Sequence, residues 1–164
     1  MNQPIYNVLF VCTGNSARSI LAEALMNHLG QGKFRAYSAG GHPVGAVNPL
    51  ALETLARLHL HQEGYRSKNW DEFTLPQAPV LDFVFTVCDK AAGEVCPVWP
   101  GQPMTAHWGM PDPAAVEGSE DQKQLAFQDT AIALKRRIEL MLALPIASLN
   151  KMSLQQAVQD IGHA

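Results

Sequence analysis

The stretch that decides the fold of this chain is IYNVLFVCTGNSARS, which runs from Ile5 to Ser19. Its first part, Ile5–Val11, is short, apolar and rich in β-branched residues, as is typical of a buried parallel strand. The polar turn Cys12–Ala17 comes next, and Arg18–Leu29 then carries leucines at helical spacing. The chain is therefore predicted to open with a strand, a tight loop and a helix.

Similar patterns predict the remaining elements. Two further strands and one short fourth strand are predicted at Phe34–Ala39, Val80–Val87 and Met104–His107. Asn48-Pro49 is a good helix start, with asparagine as the cap and proline in the first turn, and this helix is expected to bury Leu50, Leu55 and Leu58. Capping boxes at Ser119–Gln122 and Ser153–Gln156 predict a long helix and a short terminal helix. The apolar stripe of the long helix comprises Phe127, Ala131, Leu134, Ile138 and Met141.

Strands that alternate with helices indicate an α/β fold, with a parallel sheet covered by helices on both faces. The sequence contains no internal repeat and no linker, so we expect one domain over residues 1–164, with a core of about residues 5–143 and a C-terminal extension of residues 144–164. In such sheets the functional site lies at the carboxyl ends of the strands. Cys12 and Cys88 each directly follow a predicted strand, so both are expected at that edge.

Composition excludes several functional classes. The 164 residues are 47% hydrophobic and 16% charged, which is typical of a globular chain. The formal net charge of -3 argues against a general nucleic-acid surface, and no apolar run is long enough for a membrane span. The N-terminal residues do not form a signal peptide, so a cytoplasmic protein is expected. Three cysteines, an odd number, argue against a disulfide framework in a protein that is not exported.

The loop after the first strand has the residues of an anion site. A turn between a strand and a helix directs several backbone N–H groups inward, next to the helix N-terminus. Gly14 and Asn15 are residue types that tolerate the positive φ such a turn requires, and Arg18 can clamp an oxyanion through two hydrogen bonds. The same field is expected to lower the pKa of Cys12 and so to supply a thiolate nucleophile, with Ser19 as a hydrogen-bond donor to its sulfur. The alternative is a buried cysteine in an ordinary turn.

A second candidate group is WGMPDP, residues 108–113. Transfer of an oxyanion through Cys12 requires a proton donor for the leaving oxygen, and Asp112 lies between two prolines that would hold it in place. Taken alone, the local sequence is more typical of an exposed aspartate that caps the following turn.

A third candidate group is CDKAAGEVCP, residues 88–97, in which Cys88 and Cys96 flank a small, glycine-containing segment. The two thiols can form a disulfide if this loop moves. Two alternatives stay open on these residues: a zinc site that would enlist His107, and a pair of inert buried cysteines.

Taken together, these motifs resemble a known family. The loop Cys12–Ser19, with Ser38-Ala39-Gly40 and Asp112-Pro113, is similar to the landmarks of low-molecular-weight protein tyrosine phosphatases. More narrowly, Thr86–Asp89, Cys96-Pro97 and His107–Pro113 resemble the arsenate reductases built on the phosphatase fold. The likeness runs from about Tyr6 to Met141 and implies a four-stranded parallel sheet with helices on both faces.

The resemblance also implies a mechanism and its residues. Arsenate would bind the loop formed by Thr13, Gly14, Asn15, Ser16, Ala17, Arg18 and Ser19. Cys12 would attack arsenic, Arg18 would hold the charge and Asp112 would protonate the leaving oxygen. Cys88 would then attack Cys12 and release arsenite, and Cys96 would move the disulfide to Cys88–Cys96 for reduction by thioredoxin or by glutathione with glutaredoxin.

The resemblance implies that the reaction requires no metal or organic cofactor. Neither nucleic acid nor a membrane is expected as a partner. Some relatives bind potassium beside the loop, and Asn15, Glu23 and Ser38 match that pattern loosely. Many of the reductases also carry a cysteine where this chain has Ala17, which still leaves the three thiols that the relay needs.

Two other functions remain open at this point. A tyrosine phosphatase would use Cys12, Arg18 and Asp112 alone, but such enzymes usually carry aromatic residues after Asp-Pro, where this chain has Ala114-Ala115-Val116. A non-catalytic anion-binding or redox-sensing module would bind the anion or form a disulfide without turnover.

Overall fold

The computed structural model describes residues 4–60, 63–88 and 99–164. Its centre is a sheet of four parallel strands in the order β2-β1-β3-β4. The strands are β1 (Tyr6–Val11), β2 (Phe34–Ala39), β3 (Phe83–Thr86) and β4 (Met104–His107). Since all strands are parallel, their carboxyl ends lie at one edge, and this edge receives the loops that begin at residues 12, 40, 87 and 108.

In the part of the chain that the structure describes, four α-helices accompany the sheet, namely α1 (Arg18–Leu29), α2 (Pro49–Arg57), α3 (Glu120–Leu142) and α4 (Lys151–Ile161). Short 3-10 turns lie at Trp70–Thr74, Pro113–Ala115 and Ile146–Ser148. Asn48 caps α2 by accepting from the Leu50 nitrogen, and Ser119 with Gln122 forms the predicted capping box of α3. No helix in the described part of the chain is long and apolar enough to cross a membrane.

The central strand shows that both faces of the sheet are covered. Successive side chains of a strand point to opposite faces, and four consecutive residues of β1, Val8–Val11, have no exposed surface. On one face, Phe85 stacks on Trp108 with ring centroids 4.1 Å apart, and Phe10 packs beside both rings. The predicted stripe of α3 is also fully in the core. The predicted α/β class with helices around a parallel sheet is confirmed.

Three local predictions are wrong. The strand predicted over Val80–Val87 is observed only over Phe83–Thr86, because the contacts before it involve side chains: the Asp82 carboxylate accepts from the Asn7 nitrogen, and the Val80 oxygen accepts from Asn7 Nδ2. Val80 is 61% exposed. Leu58 is 37% exposed, because it is the C-cap of α2 and lies beyond its buried face.

The third correction concerns the terminal helix. It does not begin at the predicted box Ser153–Gln156, because Asn150 caps it three residues earlier by accepting from the Ser153 nitrogen. Ser153 is therefore inside the first turn. The predicted end of this helix near Gly162 is confirmed.

Candidate active site

The loop between β1 and α1 is held by its carbonyl groups. The Thr13 oxygen accepts from the His42 nitrogen at 2.9 Å, the Gly14 oxygen from the Val44 nitrogen at 3.0 Å, and the Ser16 oxygen from the Asn48 nitrogen at 2.9 Å. Because these three contacts use carbonyl oxygens, they do not engage the N–H groups of the loop. This is the arrangement that an oxyanion requires.

Asn15 provides the turn of the loop. It has a φ of 46°, and its buried side chain donates to Ser19 Oγ at 2.8 Å and accepts from the Lys68 nitrogen at 2.9 Å. Asparagine is among the few residues that adopt this conformation readily. Of the two residues that tolerate a positive φ in this loop, Asn15 has one and Gly14 does not.

Gly40 has a steric role that the sequence pattern does not reveal. A Cβ atom at this position would collide with the carbonyl oxygens of Cys12 and Thr13. The Gly40 nitrogen donates to the Lys68 oxygen, and the Gly40 oxygen accepts from the Trp70 nitrogen, both at 3.0 Å. The glycine thus allows the segment after β2 to lie directly against the nucleophile loop.

Cys12 and Cys88 are brought together as expected from the ends of β1 and β3. Both are reduced and buried, and the Thr13 N–H donates to Cys88 Sγ at 3.4 Å. Contact with Cys88 and burial raise the pKa of Cys12 well above its usual value, while Arg18 lowers it. The sequence predicted a lowered pKa, so that prediction is wrong for this arrangement, in which a second thiol lies against the nucleophile.

Arg18 and Asp112 meet across the mouth of the loop. Arg18 Nη2 lies 3.7 Å from Asp112 Oδ2, and Arg18 Nη1 donates to the Met110 oxygen at 3.0 Å. The other carboxylate oxygen, Asp112 Oδ1, accepts from the Ala114 nitrogen at 2.9 Å. The predicted cap is therefore present, and it fixes one oxygen while the second is directed at Arg18; the role of Asp112 as proton donor stays a prediction.

These side chains line an open cleft of about 410 Å³. Its walls include the whole segment Cys12–Arg18, together with Cys88 and Asp112, and also His42 and Val44, which the sequence analysis did not single out. Ala114, Ala115 and Val116 are exposed beside Asp112, so small side chains stand at this rim. The predicted loop residues are thus brought together around one space.

Cys96 lies outside the described residues, so its predicted place in the relay has no structural counterpart here. His107, which the zinc alternative would enlist, pairs through Nδ1 with Thr86 Oγ1 at 2.7 Å. Within residues 4–60, 63–88 and 99–164, no three histidine, cysteine or acidic side chains are grouped as metal ligands.

The residues considered for potassium already have partners. The Asn15 oxygen accepts from Lys68, and Glu23 accepts from the Ser38 hydroxyl. Burial raises the pKa of Glu23, while the hydrogen bond from Ser38 and the nearby charge of Lys68 lower it. Lys68 is itself buried and places a cation near this carboxylate. A second cation would be repelled there, so these residues do not fit a potassium site.

Sequence analysis missed the segment that supports the loop from outside. Ser67 donates through Oγ to the Gly14 oxygen at 3.0 Å and accepts from the Gly45 nitrogen at 3.1 Å. The Lys68 backbone connects Asn15 to Gly40. This region, residues 64–79, carried only turn signals, and such signals do not indicate which distant loop a turn will contact.

Comparison with known proteins places this geometry in context. Residues 7–156 match the family described as low molecular weight phosphotyrosine protein phosphatase. The chain is 35% identical over 140 residues to the arsenate reductase of Halalkalibacterium halodurans, with 85% of this chain and 95% of that protein covered.

Solved structures give the same picture. An arsenate reductase from Archaeoglobus fulgidus is 28% identical with a TM-score of 0.62, covering 80% of this chain and 98% of that one. A thioredoxin-dependent arsenate reductase from Corynebacterium glutamicum is 25% identical with a TM-score of 0.56, covering 86% of this chain and 65% of that one.

Proposed function

Since this chain belongs to the low molecular weight phosphotyrosine protein phosphatase family, we propose that it uses the family's anion loop to reduce arsenate to arsenite. Its relatives named arsenate reductase cover most of the chain, and the site contains a group that hydrolysis of a phosphate ester would not need. That group is the second thiol, Cys88.

The contact between Cys12 and Cys88 is the observation that carries the proposal. A hydrolase needs one nucleophile and a water molecule, whereas a reductase must deliver two electrons to arsenic. Two thiols in contact within an anion loop can supply both electrons by forming one disulfide. Their burial keeps water and outside thiols from competing for the intermediate.

In the first step, arsenate displaces Cys88 from the Thr13 N–H and is held by the loop amides and Arg18. The Cys12 proton passes to the anion and the Cys12 sulfur attacks arsenic. Asp112 relays a proton to the departing oxygen, which leaves as water. The thiol and the hydrogen arsenate dianion thus give water and an S–As bond to arsenic(V), with charge and atoms conserved.

In the second step, Cys88 attacks the Cys12 sulfur. The S–As bond breaks, its electron pair stays on arsenic, and arsenic(V) becomes arsenic(III), which leaves as arsenite. The product on the protein is a Cys12–Cys88 disulfide, and the proton of the Cys88 thiol is taken up by arsenite. Cys96 then attacks Cys88, which frees Cys12 and leaves a Cys88–Cys96 disulfide.

A dithiol protein completes the cycle. Thioredoxin is our proposed reductant because the Corynebacterium glutamicum relative is named thioredoxin-dependent. Glutathione with glutaredoxin is the alternative donor. Since all three thiols must be returned to the reduced state, the proposed location is a reducing compartment such as the cytoplasm. Potassium has no part in the proposal, because Lys68 already supplies a cation near Glu23.

The test is a single turnover of the fully reduced protein with arsenate and no donor protein. Loss of two thiols for each arsenite released, with a disulfide at Cys88 by mass spectrometry, is the expected result. In Cys88→Ser we expect no arsenite. In Cys96→Ser we expect one turnover and no recycling by thioredoxin. Full thiol recovery with no arsenite from the wild-type protein would overturn the proposal, and hydrolysis of an aryl phosphate would then be measured.

A further inference from the structure

Arg137 is a buried cation that the proposed chemistry does not use. It lies on α3 and is only 8% exposed, and burial lowers its pKa. Within the described residues no carboxylate lies within ion-pair distance of it, and its Nε has no hydrogen-bond partner. Burial of a charge without a counter-charge costs free energy, so the contacts of this guanidinium need an explanation.

Its contacts are two backbone carbonyls next to the active site. Arg137 Nη1 donates to the Trp108 oxygen at 2.7 Å and to the Gly109 oxygen at 3.2 Å. The next carbonyl along the chain, that of Met110, accepts from Arg18 at 3.0 Å. Three consecutive carbonyls are therefore held by two arginines, one of which is the anion clamp of the loop.

The same segment is fixed from its other side. The Trp108 nitrogen donates to the Thr86 oxygen at 2.7 Å, and its indole N–H donates to the Val158 oxygen on α4 at 2.8 Å. The Met110 nitrogen makes a longer bond, 3.3 Å, to the Val87 oxygen. Trp108 is thus anchored by other groups, whereas the Gly109 carbonyl is held by Arg137.

Two residues beyond Met110 comes Asp112, whose carboxylate faces Arg18 at 3.7 Å. This distance is too long for a hydrogen bond, so the carboxylate depends on its own backbone for its place over the loop. A proton donor loses efficiency steeply when it is misplaced by about 1 Å. The turn that carries Asp112 therefore has to follow a segment whose backbone is fixed, and that segment is Trp108–Met110.

We propose that Arg137 is a positioning residue, which holds the Trp108–Gly109 carbonyls so that Asp112 stays aligned with Cys12 and Arg18. The kinetic test of this inference rests on the proposed function, whereas the test by amide hydrogen exchange does not. Arg137 touches neither Cys12 nor the cleft walls, so it acts through the segment and not on the substrate.

The kinetic experiment compares Arg137→Met with Arg136→Met, a matched change of the neighbouring exposed arginine. For Arg137→Met we expect kcat for arsenate reduction to fall about 10- to 100-fold, with KM changed less than about threefold. Arg137→Lys should recover part of kcat because it restores one donor. Arg136→Met should behave as the wild-type protein.

A double-mutant cycle separates positioning from a general loss of structure. In an Asp112→Asn background, Arg137→Met should reduce kcat by less than about threefold, because the group it positions is already absent. An equal fold loss in both backgrounds would overturn the proposal. So would a rise in KM with kcat unchanged.

Amide hydrogen exchange gives a readout that does not depend on arsenate. In Arg137→Met, exchange of the Met110 amide should rise at least about tenfold while the Phe10 and Phe85 amides stay protected. Unchanged exchange at Met110 would refute the inference even if activity fell. If Arg137→Met does not fold, Arg137→Gln, which keeps a neutral donor, is measured in its place. Failure of the wild-type protein to reduce arsenate would refute the proposed function alone, and exchange would still decide the role of Arg137.

Discussion

The sulfur of Cys88 lies 3.4 Å from the backbone nitrogen of Thr13, the first amide after the nucleophile. Cys88, the second thiol of the proposed mechanism, thus lies in the anion loop of the reduced protein. In that mechanism arsenate and Cys88 compete for the same N–H group, so we expect arsenate binding to displace Cys88 from Cys12.

Removal of the second thiol should make the nucleophile more acidic. Contact with Cys88 is the largest cause of the raised pKa of Cys12, so Cys88→Ala should lower that pKa, leaving burial and Arg18 as the remaining influences. The pH dependence of Cys12 alkylation by iodoacetamide measures the shift, with Cys96→Ala as the matched control. An alkylation profile identical to that of wild type would show that Cys88 does not suppress the thiolate.

Loss of the acid at Asp112 should slow the first chemical step without harming the fold. Asp112→Asn keeps an oxygen for the Ala114 N–H, so the cap survives while the ionisable oxygen is lost. General acids contribute about 10²- to 10⁴-fold, and rapid-quench measurement of the Cys12 adduct should show a decrease in that range. Wild-type speed for this step would exclude Asp112 as the acid.

A methyl group at Gly40 should break the anion loop. A Cβ would meet the carbonyl oxygens of Cys12 and Thr13, so Gly40→Ala forces backbone to move and should abolish arsenate turnover and lower the free energy of unfolding by more than about 2 kcal/mol. Gly64→Ala is the control, since it has a positive φ but open space, and should cost about 1 kcal/mol. Urea unfolding and turnover measure both. Equal losses in the two variants would contradict the steric role.

Monovalent cations should not affect the rate. Because the Lys68 charge already lowers the pKa of Glu23, arsenate reduction in potassium chloride and in choline chloride of equal ionic strength should agree within about 1.5-fold. Several-fold activation by potassium would show that the ion does bind.

The variant Lys68→Met tests whether the Lys68 charge compensates the buried carboxylate of Glu23. It removes the cation next to a buried carboxylate, which raises the pKa of Glu23 further. A carboxyl whose folded pKa exceeds its unfolded value near 4.3 loses stability as pH rises above that value. The variant should therefore be destabilised more at pH 7 than at pH 5, as measured by urea unfolding. An equal loss at both pH values would argue against charge compensation of Glu23.

Much of this protein follows from local sequence. Hydrophobic runs and caps predicted β1, α1, β2 and the start of α3 at their observed bounds or within one residue of them, because each is specified by its own periodicity and termini. The loop residues Cys12–Arg18, Cys88 and Asp112 were also correctly placed at one edge, since all of them follow parallel strands. The error in β3 arose because Val80 and Asp82 contact Asn7 partly through side chains, which is information that an apolar run does not contain.

What only the tertiary structure decided is how these groups affect one another. The sequence determined that a thiol, an arginine and a carboxylate meet at an anion loop. It did not determine that Cys88 lies against Cys12 and raises its pKa, that Ser67 and Lys68 support the loop, or that Arg137 holds the carbonyls leading to Asp112. Local sequence patterns reflect interactions over a few residues. The pKa of a buried group, or a hydrogen bond between residues 28 or more positions apart, depends instead on packing that brings several elements to one place.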